Sequence, residues 1–171
     1  FDRKEEYIKM GYSAVLYNRI TQYSPLEIGL DRYRGVIARL KRQLPALLKF
    51  RNWISSSLSR PKPQIIDYKA LYPTLTTDQE RCEDVIPQLV PQWDHTPRSG
   101  TRGTAWVDAS PENFYLHAKD ILATVQGKKD KIVILKSWNE WGEGNYMEPD
   151  TTFGNGFIDA LRRAVDESYE D

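Results

Sequence analysis

The chain has 171 residues, with 24 Lys and Arg against 24 Asp and Glu and 40% hydrophobic residues, the make-up of an ordinary globular domain. Its one cysteine, Cys82, excludes an internal disulfide framework and a Cys-rich zinc module. No apolar run approaches the roughly 20 residues of a membrane span, and a single domain over residues 1–171 is the expected count.

The chain opens on Phe1-Asp2-Arg3-Lys4-Glu5-Glu6, which is no signal peptide. The expectation is a segment that starts inside a longer protein or after a processing site. Tyr12 to Tyr17 is the first strand candidate. A helical pattern follows, with Tyr33, Ile37, Leu40 and Leu44 spaced by three and four. Pro45 should break or kink it, and Leu47, Phe50, Ile54 and Leu58 carry the pattern on. Gln64 to Tyr68 predicts a second strand, Thr77 to Asp84 a brief helix, and Val85 to Trp93 a third extended run. Ser110-Pro111 is a strong helix start, with Ser as cap and Pro in the first turn. Its apolar face would be Phe114, Ala118, Ile121, Leu122 and Val125, and Gly127 can end it. Lys131-Ile132-Val133-Ile134-Leu135 predicts a strand buried on both faces. A last helix from about Gly156 to Glu167 would bury Phe157, Ala160, Leu161 and Val165.

Strands alternating with helices, over connections long enough for crossovers, point to a parallel sheet in an α/β fold. No Gly-rich fingerprint follows any strand, which removes the main support for a nucleotide-binding open sheet. The alternative is a (β/α)8 barrel, which takes about 250 residues. Four strands fill half of one, so this chain would be its C-terminal half.

The neutral total conceals an asymmetry. Between Arg32 and Ile66 stand nine basic residues (Arg32, Arg34, Arg39, Lys41, Arg42, Lys49, Arg51, Arg60 and Lys62) and no acid. Such a patch can meet nucleic acid, anionic lipid or a phosphorylated substrate, and its plainer reading is a solvated helix face.

Chemistry concentrates after the strand at 131–135. Trp138-Asn139-Glu140-Trp141-Gly142-Glu143-Gly144 sets two carboxylates three residues apart between indole rings, at the strand end where parallel α/β folds build their sites. Glycosyl transfer needs a carboxyl group at the bridging oxygen and a second one to assist at the sugar. Trp faces stack on sugar rings and Asn bonds hydroxyls. Apolar packing beside a carboxylate also favours the protonated form that a general acid requires. The glycines let the backbone bring the second Glu back toward the first. The plain alternative is an aromatic-rich turn with solvated acids. A second segment, Trp93-Asp94-His95-Thr96-Pro97-Arg98, also follows an extended run. It offers a further stacking surface and a forked donor, or else an Asp–Arg pair that staples the loop. Asp67-Tyr68 ends a strand and is a weaker signal. His95 and His117 are isolated in sequence, and no metal-ligand spacing occurs, so neither a metal nor another cofactor is indicated.

The run from Trp138 to Asp150 resembles the WNEWxEGxxLEPD signature of the WbsX-like proteins, described as glycosyltransferases of bacterial surface-polysaccharide clusters. Trp93 to Arg98 resembles their WDNTPR segment, with His95 where Asn is usual, and Asp67-Tyr68-Lys69 resembles their YDYE-like strand end. These proteins are in turn similar to endo-α-mannosidase-like glycoside hydrolases, which are (β/α)8 barrels with a WNEWHEG motif. Gly142 stands at that motif's His. The resemblance implies that Glu140 acts as base on the sugar 2-hydroxyl and Glu143 as general acid/base at the glycosidic oxygen. Tyr68, Trp93, Asp94, Arg98, Trp138, Asn139 and Trp141 would line the sugar site. It further implies an oligosaccharide or sugar-conjugate substrate, the remaining half of the barrel as a partner segment or chain, and a bacterial cytoplasmic setting with membrane association open. A specific nucleic-acid partner is not expected. The competing readings are a non-catalytic saccharide-binding module and a basic-patch binder of anionic lipid or nucleic acid.

Overall fold

The computed structural model describes residues 3–17 and 62–169. The basic residues from Arg32 to Arg60, and the helices expected over 33–44 and 47–58, lie outside the described residues. What is described is a mixed α/β arrangement. Helix α1 (Lys4–Lys9) precedes β1 (Val15–Leu16); β2 (Gln64–Asp67) runs directly into α2 (Tyr68–Leu75). After the extended pieces β3 (Val85–Ile86) and β4 (Gln88–Leu89) come the short helix α3 (Thr96–Ser99), β5 (Thr104–Val107) and the long helix α4 (Pro111–Val125). The chain continues through β6 (Ile134–Leu135), β7 (Asn139–Glu140), β8 (Asn145–Tyr146) and α5 (Gly156–Ser168).

Three strand pairs are parallel: β1 with β3, β2 with β5 and β4 with β6. The expected parallel α/β character is therefore present, although no closed barrel forms among the described residues. The run 85–93 is extended as expected, but Pro87 divides it. Proline has no N–H to give a ladder, so β3 serves β1, and β4 beyond it serves β6. The Pro87 carbonyl still accepts from Ile134 N at 3.0 Å.

Helix α4 forms where its start signal lies. Ser110 accepts from Asn113 N at 3.3 Å, and Pro111 occupies the first turn, where its missing N–H costs nothing. Phe114, Ala118, Ile121 and Val125 are buried, and Leu122 packs at the edge of the core. Helix α5 packs against it, with Phe114 and Phe157 edge to face at 5.5 Å. Ala160 and Ala164 let the two backbones approach, while Leu161 sits at the margin. The brief helix expected at 77–84 is a single 3-10 turn, Asp78–Arg81, capped reciprocally by Thr77 and Glu80. No helix among the described residues is long and apolar enough to cross a membrane.

One strand expectation needs correction. Only Ile134 and Leu135 of the run 131–135 pair as a strand, and it is not buried on both faces. Val133 and Leu135 pack on the core, whereas Ile132 and Ile134, alternating with them, are exposed. Ile65 of β2 and Val107 of β5 are exposed in the same way. These four side chains remain 41–55% exposed, so the strands bury one face and leave apolar surface on the other.

The buried centre is Tyr68, the first residue of α2. Its hydroxyl donates to the Val90 carbonyl at 2.7 Å and meets His117 Nδ1 at 2.8 Å, while its ring stacks on Trp106 at 5.6 Å. One side chain thus joins α2, the segment after β4, β5 and α4. Burial pushes the phenol up and pushes His117 down to about 3, so the imidazole stays neutral in the folded protein.

Tyr68→Phe removes the hydroxyl that meets two buried groups, the Val90 carbonyl and His117 Nδ1, and should destabilise the protein by about 1–3 kcal/mol in urea unfolding. The pH response follows from His117. Above pH 6.5 the imidazole is neutral in both states; below it the unfolded chain takes a proton that the folded protein refuses until about pH 3. Stability should therefore fall as pH drops from 6.5 to 5, with a limiting slope of about 1.4 kcal/mol per unit from this group. A His117→Asn variant should lose that component of the slope.

Candidate active site

Two chain segments meet at the site. The first leaves β4 and carries Trp93, Asp94, His95 and, on α3, Arg98. The second is the antiparallel hairpin of β7 and β8, in which Glu140 lies opposite Asn145 and Asn139 opposite Tyr146. A 3-10 turn, Trp141–Glu143, closes the hairpin, and Gly144 follows in the left-handed region at φ 52°. Met147, just beyond β8, is buried in the core and anchors the hairpin there.

The segments are stitched together at several points. Asp94 N donates to the Glu143 carbonyl at 2.8 Å, and Gln92 Nε2 donates to the Tyr146 carbonyl at 3.1 Å. Asn145, fully buried, returns Nδ2 to the carbonyls of Gln92 at 2.6 Å and Lys136 at 3.1 Å. Gly144 packs so closely that a Cβ there would sit 2.9 Å from Asp94 Cβ. On its other side the first segment pairs with β5: Trp106 N donates to the Trp93 carbonyl and His95 N to the Thr104 carbonyl.

This frame determines where the side chains fall. Asp94 Oδ1 accepts from Thr96 N at 2.8 Å and Thr96 Oγ1 at 2.6 Å, which ties the turn into α3. Arg98, one turn along, donates from its guanidinium to Glu143 Oε1 at 2.6 Å. His95 Nε2 lies 3.7 Å from the same oxygen, and its Nδ1 is 3.0 Å from Ser99 Oγ. The alternative reading of this segment, an Asp94–Arg98 staple, does not form; each residue has another partner. Glu143 is only 17% exposed, and its Oε2 has no partner among the described residues. Glu140 is half-buried and its carboxylate makes no hydrogen bond or ion pair among them. A side chain at Gly142 would press on it, since a Cβ there would lie 3.1 Å from Glu140 Oε1.

The aromatic side chains divide into two groups. Trp93 is partly buried, stacked against His95 at 6.1 Å with Lys136 Nζ 5.7 Å from its ring. Trp138 and Trp141 are exposed at 50% and 49%, available to a ligand, and Asn139 is exposed beside them. Tyr68 is the exception among the expected sugar contacts. It is wholly buried with its hydroxyl engaged in the core, so it presents nothing to a substrate in this arrangement. Gln92, His95, Asn145 and Tyr146 are site residues that sequence reasoning passed over. All four lie within or beside the two motifs, but their roles depend on contacts across some 50 residues of chain. Among the described residues no cluster of three His, Cys, Asp or Glu side chains is arranged to hold a metal ion.

Gly144→Ala should cost at least about 1–2 kcal/mol in chemical denaturation, because it adds left-handed strain to the collision with Asp94. Gly127→Ala, with open space around it, should leave stability unchanged or slightly raised.

Comparison with known proteins gives a family. The sequence model of the family described as glycosyltransferase WbsX matches residues 6–161, which include both stitched segments. Proteins from two strains of Xanthomonas campestris pv. campestris, each called an uncharacterized protein WxcX, are 32% identical over 108 residues. That alignment covers 59% of this chain and 15% of each relative's length, so the chain spans a small part of the curated proteins it matches. No solved structure matches it. With the family model covering most of its length, the chain belongs to the WbsX glycosyltransferase family.

Proposed function

We propose that the chain forms part of a carbohydrate-active enzyme that makes or breaks a glycosidic bond in the assembly or trimming of bacterial surface polysaccharide, with Glu140 and Glu143 as its catalytic pair. The observation that carries this reading is the contrast between the two carboxylates. Glu143 is held by Arg98 through one oxygen, leaving Oε2 unengaged, while three residues away Glu140 is unpartnered, beside two exposed indoles. Surface acids that serve only solubility are not stitched to a second motif through both backbone and side chain. A fixed carboxylate beside an unpartnered one is suited to proton transfer at two different oxygens.

In the chemistry the resemblance implies, Glu140 takes the proton of a sugar 2-hydroxyl as O2 closes on C1. The bond from C1 to the bridging oxygen breaks, and Glu143 protonates the departing oxygen. An incoming hydroxyl, of water or of an acceptor sugar, then gives its proton to Glu143, opens the three-membered ring at C1, and O2 regains its proton from Glu140. Arg98 orients Glu143 throughout. Water as acceptor makes the enzyme a hydrolase, and a sugar makes it a transferase.

The larger architecture in this proposal is a (β/α)8 barrel of which residues 1–171 are the C-terminal part. Two observations support it: the three pairs of parallel strands, and the apolar side chains Ile65, Val107, Ile132 and Ile134 left exposed on them. Further strands supplied by the rest of a longer protein or by a partner chain would bury that face.

The test is complementation. In a host whose surface polysaccharide changes when the gene is deleted, Glu143→Gln and Glu140→Gln in the intact protein should each fail to restore it. Turnover in extracts should drop by at least about a hundred-fold, with thermal unfolding little changed. Full restoration by both variants would overturn the catalytic reading. Glycan binding that persists in both, with no product formed even by the unaltered protein, would favour a saccharide-binding module instead.

A further inference from the structure

The hairpin carries a feature that the catalytic pair does not explain. Trp141 and Tyr146 are stacked face to face, with ring centroids 3.7 Å apart and planes inclined by 13°. Each ring is also fixed at its polar end. Trp141 Nε1 donates to Glu148 Oε2 at 2.6 Å, and Tyr146 Oη donates to Asp150 Oδ2 at 3.1 Å. Asp150 is itself immobilised, its Oδ1 accepting from Thr152 N at 2.7 Å and Phe153 N at 2.6 Å. Burial and the Asp150 hydrogen bond hold the Tyr146 hydroxyl above the usual phenol range, so it remains a donor. With one indole face covered by Tyr146, the 49% exposure of Trp141 falls on the opposite face and the rim. A large apolar ring left in water is ordinarily free to turn. This one is locked by a charge-assisted hydrogen bond and a backing ring.

We infer that Trp141, backed by Tyr146, is a rigid stacking platform for a hexopyranose ring that presents a face of C–H groups, and that Glu148 and Asp150 are the positioning residues that hold it. A platform ordered beforehand binds without first freezing its own rotamers, so the locking hydrogen bonds act on affinity although neither carboxylate touches the sugar. The two acids near the end of the motif thereby have a task separate from that of Glu140 and Glu143. This inference rests on the saccharide reading of the site and not on catalysis.

Binding of the intact protein to an array of bacterial surface polysaccharides and their oligosaccharide fragments tests it, with affinities then measured for the best-bound fragment. Trp141→Ala should weaken binding about tenfold or more. Glu148→Ala should weaken it several-fold, and Glu148→Gln, which keeps an acceptor, should recover much of the loss. Trp141→Phe keeps a ring but has no N–H, so adding Glu148→Ala to it should cost nothing further. That non-additivity separates positioning from a general loss of structure, which thermal unfolding of each variant also monitors. If the unaltered protein binds a fragment and Trp141→Phe, Glu148→Ala and Glu148→Gln all bind it equally well, the platform is overturned while the catalytic proposal stands. If the unaltered protein binds nothing on the array, the platform is overturned as well, and complementation by the Glu140 and Glu143 variants still judges the catalytic proposal separately.

Discussion

The site depends on the contact between the chain after β4 and the β7–β8 hairpin. Gly144 lies against Asp94 with no room for a side chain, and around that point Asp94 N bonds the carbonyl of Glu143, Gln92 Nε2 the carbonyl of Tyr146, and Asn145 Nδ2 the carbonyl of Gln92 across the seam. Remove this seam and Arg98 no longer faces Glu143, because α3 and the 3-10 turn are otherwise independent short elements. The ion pair itself is partly exposed and contributes little to stability. Its value is orientation, and the buried amide of Asn145 supplies the rigidity that an exposed pair cannot.

Beneath the seam, the core does the holding. Tyr68 gathers α2, β5, α4 and the segment leaving β4 through one hydroxyl and one ring face, and Met147 inserts from the hairpin into the same cluster. The two site segments are thus held far more firmly than free loops. Each is fastened within a few residues of its working side chains, as preorganised sites require.

Much of this was legible in the residues. Ser110-Pro111 and the spacing of Phe114, Ala118 and Ile121 mark α4 because capping and amphipathic period agree there. The parallel pairing was likewise readable from the alternation of strands and helices. Other elements left weaker traces. Strand β5 is four residues with no alternating pattern, and its Trp106 gives no hint that it stacks on a buried tyrosine. Helix α2 starts with no loop after β2, capped by Asp67, and contains Pro73, which argues against a helix by propensity alone. Ile132 and Ile134 look like core residues because hydrophobicity does not say what covers them. Pairing across long separations was the least visible: nothing in Arg98 or Glu143 taken singly announces their contact 45 residues apart, and the strand end at Tyr68 does not reveal that its ring turns into the core.

The long separations across the seam have a kinetic corollary. Closing Gln92 onto Asn145 spans 53 residues and encloses β5, α4 and β6 within one loop. The entropy of that closure is recovered only when the enclosed elements have docked. Side chains brought together this way stay apart in a nascent or partly unfolded chain, so the meeting of Arg98 with Glu143 should emerge in a single late step of folding.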